Sequence, residues 1–238
     1  MCSSDLDKGQ YDKAILCFTK AIELDPDNAE AYTNRGLAHI SLEEYDKTIA
    51  DCTEAVRIGP DTVKAYTNRG VAYDELGQYD KAIADFTTAI ELEPEDAGVY
   101  RRRGQAHYSL EEYDKAIADY TEAIKYYRLP RSFAVTYVNR SLAYNALEEY
   151  DKAIVDCTEA IRIKPGVTPY TSRGYAYRNL KEYDKAIADF NTAIELDPSH
   201  PKPYYNRGLT YQELGDKAKA DADFAKAKEL GYEPEEEE

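Results

Sequence analysis

The phrase Tyr-Asp-Lys-Ala-Ile begins at Tyr11, Tyr79, Tyr113, Tyr150 and Tyr183, with a near-copy at Tyr45, so the chain is one unit written several times. Self-similarity at a period of roughly 34 residues restricts the fold severely, because a unit that short cannot bury its own apolar face and is stable only when stacked on its neighbours. Contacts should therefore run from each unit to the next, with no central core. Chains built this way serve as surfaces for partners more often than as catalysts.

The stretch from Ala65 to Pro94 is the clearest copy. Tyr66, Gly70, Tyr73 and Leu76 fall on one helical face, and Ala82, Phe86, Ala89 and Leu92 mark the inner face of a second helix. Gly77 and Gln78 make the turn between them, and Pro94 ends the pair. Small residues at Gly70, Ala82 and Ala89 allow close approach, and the aromatic rings fill the remaining space.

This order of aromatic, Gly, Tyr, then Ala, Phe, Ala and Pro resembles the tetratricopeptide repeat, and the resemblance covers nearly the whole chain. Tyr32, Tyr66, Tyr100, Tyr137, Tyr170 and Tyr204 occupy the slot where that family often carries Trp, in a chain with 23 tyrosines and no tryptophan. Gly36, Gly70, Gly104, Gly174 and Gly208 follow, with Ser141 the one departure. The resemblance implies an all-α, right-handed superhelical α-solenoid whose first helices line a concave, peptide-binding groove. The chain divides accordingly into a truncated first repeat at 1–26, repeats at 27–60, 61–94, 95–130, 131–165, 166–198 and 199–232, and an acidic tail at 233–238.

Three departures from the pattern carry expectations. The spacing stretches between Arg103 and Arg140 and shrinks between Arg140 and Arg173, and with Pro130 in the stretched segment the extra residues should lengthen the loop of the 95–130 repeat. Aligning Tyr11 with the other turn tyrosines leaves almost nothing of a first helix. Cys2 to Leu6 also match the translation of a common sequencing-adapter end, so residues 1–6 are expected to be non-native, which leaves open whether a catalytic or anchoring domain precedes residue 7. At the other end, Phe224 and Leu230 should be partly exposed unless the Tyr232 segment folds back. The incomplete ends make self-association an expectation as well.

Charge narrows the partners. Lys and Arg number 30 against 46 Asp and Glu, a formal net charge of -16 that repels nucleic-acid phosphates and anionic membrane surfaces. Neither nucleic acid nor membrane is expected as a partner. Cys2, Cys17, Cys52 and Cys157 lack metal-ligand spacing, and free thiols on helical patterns suit a reducing, cytoplasmic setting. His39 and His107 sit in a core aromatic slot and His200 in a linker. No phosphate loop, nucleophile elbow or zinc-helix motif is present, so no catalytic residue, metal or cofactor is expected.

A second feature recurs with the repeat. Arg35, Arg69, Arg103, Arg140, Arg173 and Arg207 precede the small-residue slot, and each is followed sixteen residues later by Asp51, Asp85, Asp119, Asp156, Asp189 or Asp223. An ion pair within the unit is one arrangement, and pairing with the arginine of the following unit is another. The role is structural in both.

The candidate binding surface is the other face of each first helix. Its expected residues are Lys64, Thr67, Arg101, Gln105, Tyr108, Asn145, Thr171, Tyr175, Arg178, Asn179, Lys202 and Tyr205. The face turns from apolar and acidic near Leu37 and Asp74 to basic, amide-bearing and aromatic in the second half. Arg102, Arg103, Lys125, Arg128 and Arg131 add positive charge, and arginine forks with exposed tyrosine suit an acidic peptide or protein. The function expected is a non-catalytic scaffold for protein–protein interaction. A chaperone adaptor reading an acidic C-terminus and the regulatory arm of a larger enzyme are the alternatives, although Thr33, Leu37, Gly98, Thr168 and Ser172 depart from the adaptor's carboxylate clamp.

Overall fold

The computed structural model describes residues 3–126 and 130–233, with side chains over 8–126 and 133–233. Arg128, the side chain of Arg131 and tail residues 234–238 lie outside the described residues. Thirteen helices and no strand occur among the described residues. They gather into two compact units, 1–126 and 127–238. The first unit holds α1 (Ser3–Leu24), α2 (Ala29–Ser41), α3 (Tyr45–Ile58), α4 (Val63–Glu75), α5 (Tyr79–Leu92), α6 (Ala97–Ser109) and α7 (Tyr113–Tyr126). The second holds α8 (Pro130–Ala146), α9 (Tyr150–Ile163), α10 (Val167–Asn179), α11 (Tyr183–Leu196), α12 (Pro201–Glu213) and α13 (Lys217–Glu229). From α2 onward each even-numbered helix packs on the odd one that follows it, as the doubled sequence pattern predicts.

Each pair closes through one tight contact. A Cβ added at Gly70 would lie 2.7 Å from the Phe86 ring, and one at Gly174 would lie 2.6 Å from Phe190, so the small residue is required by the ring it faces. Ser141 departs from glycine where the facing residue is Cys157, which is smaller than a phenyl ring. Its hydroxyl donates to the Val138 carbonyl at 2.7 Å and meets the Ser172 hydroxyl at 3.2 Å. Burial pushes the Cys52 thiol up to about 12 and the Cys157 thiol upward as well, so both pack as small inert groups.

The turn inside each pair demands a left-handed backbone at one position. Gly77 and Gly215 meet that demand without strain at φ 69° and 78°, whereas Glu43, Glu111, Glu148 and Lys181 hold φ between 58° and 62° with a Cβ present.

The arginine–aspartate spacing resolves into a ladder of pairs within each unit. Arg69 Nε and Nη2 donate to Asp85 at 2.8 and 2.7 Å, and Arg173 makes the same fork on Asp189 at 2.8 and 2.8 Å. The other four pairs match. Each guanidinium lies over the tyrosine three residues before it, as in Arg69 over Tyr66 at 5.6 Å, which gives the tyrosine slot a partner. Nη1 of Arg35, Arg69, Arg103 and Arg173 reaches back to Thr19, Thr53, Thr87 and Thr158 on the preceding second helix. That rung ties neighbouring pairs together and was not anticipated from the spacing.

Two expectations are corrected. The insertion near Pro130 enters a helix instead of a loop: α8 has 17 residues where α6 and α10 have 13. Proline is tolerated in the first turn of a helix, where its missing N–H removes no intrahelical bond. At the N-terminus α1 is one continuous helix from Ser3 to Leu24, so no turn precedes Tyr11. Leu16 and Leu24 on α1 are 69% and 77% exposed. At the C-terminus Tyr232 does fold back, with its ring 4.5 Å from Tyr205, which in turn packs 5.6 Å from Phe224.

Candidate protein-binding groove

Within the second unit α8 packs on α10 and α10 on α12, so the same face of three first helices forms one surface. In the first unit α2, α4 and α6 do likewise. The residue four beyond the small-residue slot lies on this face: Ile40, Asp74, Tyr108, Asn145, Arg178 and Gln212. The residue just before it is always aromatic or histidine, so chemistry changes at one position while its neighbour stays nearly fixed. His39 and His107 at that neighbouring position are buried, each with Nδ1 2.6 Å from Glu44 or Glu112.

The expected site residues divide into those gathered by the fold and those spent elsewhere. Tyr175, Arg178 and Asn179 come together on α10. The Arg178 guanidinium lies 5.1 Å above the Tyr175 ring, Tyr150 at the start of α9 meets Tyr175 edge-on at 6.4 Å, and the Arg178 side chain is 11% exposed. Asn179 Nδ2 donates to the Tyr175 carbonyl at 2.9 Å. Asn145 is buried, and its amide Nδ2 donates to Ser172 O at 3.2 Å and Ser172 Oγ at 2.9 Å. Thr67 and Thr171 turn their hydroxyls onto their own helices, at Val63 O and Val167 O. Lys64 and Lys202 are exposed, and Tyr205 is enclosed in the C-terminal aromatic stack.

In the first unit Arg101, Gln105 and Tyr108 are half-buried on α6, with Tyr108 edge-on to Tyr113 at 5.3 Å. Tyr120 stands in the phenylalanine slot of α7 and is fully buried. Burial pushes its hydroxyl upward and the nearby Tyr108 adds to the rise, against the opposing charge of Arg101. Burial likewise raises the Asp74 carboxyl, reinforced by Glu75 and opposed by Arg102.

Three side chains near this face carry buried polar atoms with no hydrogen-bond partner: Tyr120 Oη, Asn145 Oδ1, and Arg178 Nε and Nη1. Glu213 on α12 approaches Arg178 Nε to 3.8 Å, too far for a hydrogen bond but close enough to balance its charge. Glu213, Tyr150 and Tyr120 were missed in the sequence. The turn tyrosine was read as part of the repeated phrase, and Tyr120 differs from Phe86 by a single hydroxyl.

Family models of the TPR repeat match residues 4–42 and 174–215, and models of the tetratricopeptide repeat match 63–96, 97–128, 29–62, 134–166 and 201–230. This chain belongs to the tetratricopeptide-repeat family. A comparison with curated protein sequences returned no match. Among solved structures this tetratricopeptide-repeat protein is similar to the APC/C hetero-tetramer Cut9–Hcn1, at 18% identity and TM-score 0.71, covering 94% of this chain and 44% of that one. It thus spans less than half of that chain. A tetratricopeptide repeat protein from Parabacteroides merdae matches at 22% identity and TM-score 0.70, over 96% of this chain and 90% of that one. YrrB, described as a TPR protein with an unusual peptide-binding site, matches at 22% identity and TM-score 0.50, over 90% and 92%.

Members of this repeat family are generally non-catalytic interaction scaffolds. Among the described residues no group of His, Cys, Asp and Glu is arranged to hold a metal ion, and no helix is long and apolar enough to cross a membrane.

Proposed function

We propose that this protein is a non-catalytic scaffold whose first-helix face holds an extended segment of a protein partner. One observation carries the reading: within each unit the first helices pack side by side, so their common face is continuous and presents half-buried aromatic, apolar and cationic side chains, among them Tyr108 and Arg101 in one unit and Tyr175 and Leu142 in the other. Tyr175 and Leu142 supply adjoining half-buried apolar area. The peptide-binding site named for YrrB and the assembly named for Cut9–Hcn1 are precedents for this use of the fold.

An acidic partner is the finer form of the proposal, with Arg101, a half-buried cation on α6, as the residue to engage it. The test is selection from a random peptide library with free and amidated C-termini, run beside Tyr175→Ala and Leu142→Ala. Enrichment that both variants abolish supports the groove, and an acidic consensus supports Arg101. A folded protein that enriches no peptide, or enrichment indifferent to both variants, would overturn the reading.

A further inference from the structure

The extra residues of the irregular repeat add one turn ahead of its tyrosine slot. Tyr137 is the eighth residue of α8, whereas Tyr100 and Tyr170 are the fourth of α6 and α10. The added turn sets Phe133 four residues before Tyr137, on the same helical face, with ring centroids 6.5 Å apart. In α6 and α10 the residue at that spacing is the helix cap, Asp96 or Gly166, which brings no ring. A cavity of about 510 Å³ opens beside the aromatic pair, bounded by Phe133 and Tyr137 on α8 and by Arg162 and Ile163 at the end of α9. That volume falls in the usual range of small-molecule sites, roughly 300 to 1,000 Å³. Phe133, Tyr137 and Ile163 are half-buried and Arg162 is exposed, so all four are within a ligand's reach.

The walls divide the ligand's chemistry in two. Two rings and Ile163 favour a flat apolar body, because aromatic faces stack and burial of apolar area is favourable. Arg162 supplies the polar end. It holds one oxygen of Glu159 through Nε at 2.9 Å and Nη2 at 2.8 Å, and Nη1 has no hydrogen-bond partner among the described residues. Arg57 fills the same slot of α3, with Glu54 at 2.6 Å, and there a second carboxylate, Asp27 ahead of α2, stands 4.0 Å away. The turn ahead of Tyr137 reads Pro130-Arg-Ser-Phe133 and contains no carboxylate. We infer that this cavity binds a small free aromatic carboxylate, its ring against Phe133 and Tyr137 and its acid on Arg162, in the place that Asp27 takes beside Arg57. A guanidinium has donors enough for two carboxylates. The site lies on the tyrosine face of α8 and is independent of the groove.

The test is 1H–15N NMR of the full chain during titration with cinnamate, beside cinnamyl alcohol, which lacks the charge, and cyclohexanepropionate, which lacks the aromatic ring. Cinnamate should move the amide signals of Phe133, Tyr137 and Ile163, and both controls should bind more weakly. Arg162→Gln should weaken cinnamate about fivefold, the worth of an exposed charge pair, and leave cinnamyl alcohol unaffected. Phe133→Ala should weaken both about tenfold, the worth of a lost ring contact. Arg162 is exposed, so its variant should keep the thermal unfolding midpoint of the parent and stay informative even if Phe133→Ala fails to fold. Cinnamyl alcohol binding as tightly as cinnamate would overturn the inference in favour of an apolar cleft blind to charge. Cinnamate that moves none of these signals would overturn it in favour of a solvent-filled cleft. An acetylated Asp-Tyr amide binding more tightly than free cinnamate would overturn it in favour of a partner's side chains.

Discussion

In residues 1–126 the position four beyond the small-residue slot holds Ile40, Asp74 and Tyr108, whereas in residues 127–238 it holds Asn145, Arg178 and Gln212. The ladder behind it does not differ: Arg69 forks onto Asp85 in the first unit just as Arg173 forks onto Asp189 in the second. One half-buried face has diverged between near-identical copies while the polar rungs beside it have not. The contrast assigns different work to the two layers. The rungs are shared because every pair needs the same closure, whereas the divergent slot closes no pair, and Asn145 there instead bonds α8 to α10 through Ser172.

If the ladder is common property, breaking it should cost the same in both units. Arg69→Met and Arg173→Met should each destabilise by about 3 kcal/mol in urea denaturation, because each strands a carboxylate in a largely buried place. Adding Asp85→Leu or Asp189→Leu should recover most of that loss. A much smaller cost in one unit than in the other would break the comparison.

The glycine contact sharpens it at the next level. Gly104→Ala and Gly174→Ala should each cost about 1 to 3 kcal/mol, because the new methyl meets the Tyr120 or Phe190 ring. Ser141→Ala should cost about 1 kcal/mol for a different reason, the loss of the hydroxyl that bonds Val138 and Ser172. Smaller still, Glu111→Gly and Lys181→Gly should stabilise by about 0.5 kcal/mol, since relief of left-handed strain exceeds the added chain entropy. Paired thermal melts of the two variants test this in both units.

The smallest effect is the one that separates the units by pH. Burial raises the Asp74 carboxyl above its unfolded value of about 3.9, so the unfolded chain gives up that proton first. Stability from this group is full below about 3.9 and is lost as pH rises through the folded value. Asp74→Asn should therefore raise the unfolding midpoint at neutral pH and have no effect in acid. A stabilisation by Asp74→Asn that persists unchanged at low pH would show that the carboxyl's charge is not the cause.

Much of this was legible because repetition multiplies a weak signal. A single Gly followed sixteen residues later by Phe says little, but five near-copies in register define the helix faces, the turn and the Arg–Asp spacing. Single exceptions could not be read that way. Pro130 reads as a breaker within its segment, yet the structure places it within α8. The N-terminus departs in the same way: Tyr11 aligns with the other turn tyrosines, but the backbone of α1 runs straight through. At the groove, Tyr175 and Arg178 were visible by their helical spacing, whereas the roles of Tyr150 and Glu213 were not, because they reach the same spot from other helices.

The sequence by itself determined the all-α repeat, the family, the faces of the helices and the partners of the six arginines to within a choice of unit, since all of these are set by periodicity and local spacing. Only the tertiary structure decided that the arginines pair inside their own units, that Tyr232 closes over Tyr205, and that Asn145 and Arg178 are left with unpaired atoms. An unpaired group is what remains after every neighbouring donor and acceptor has been assigned, so it is a property of helices brought together and has no signature along the chain.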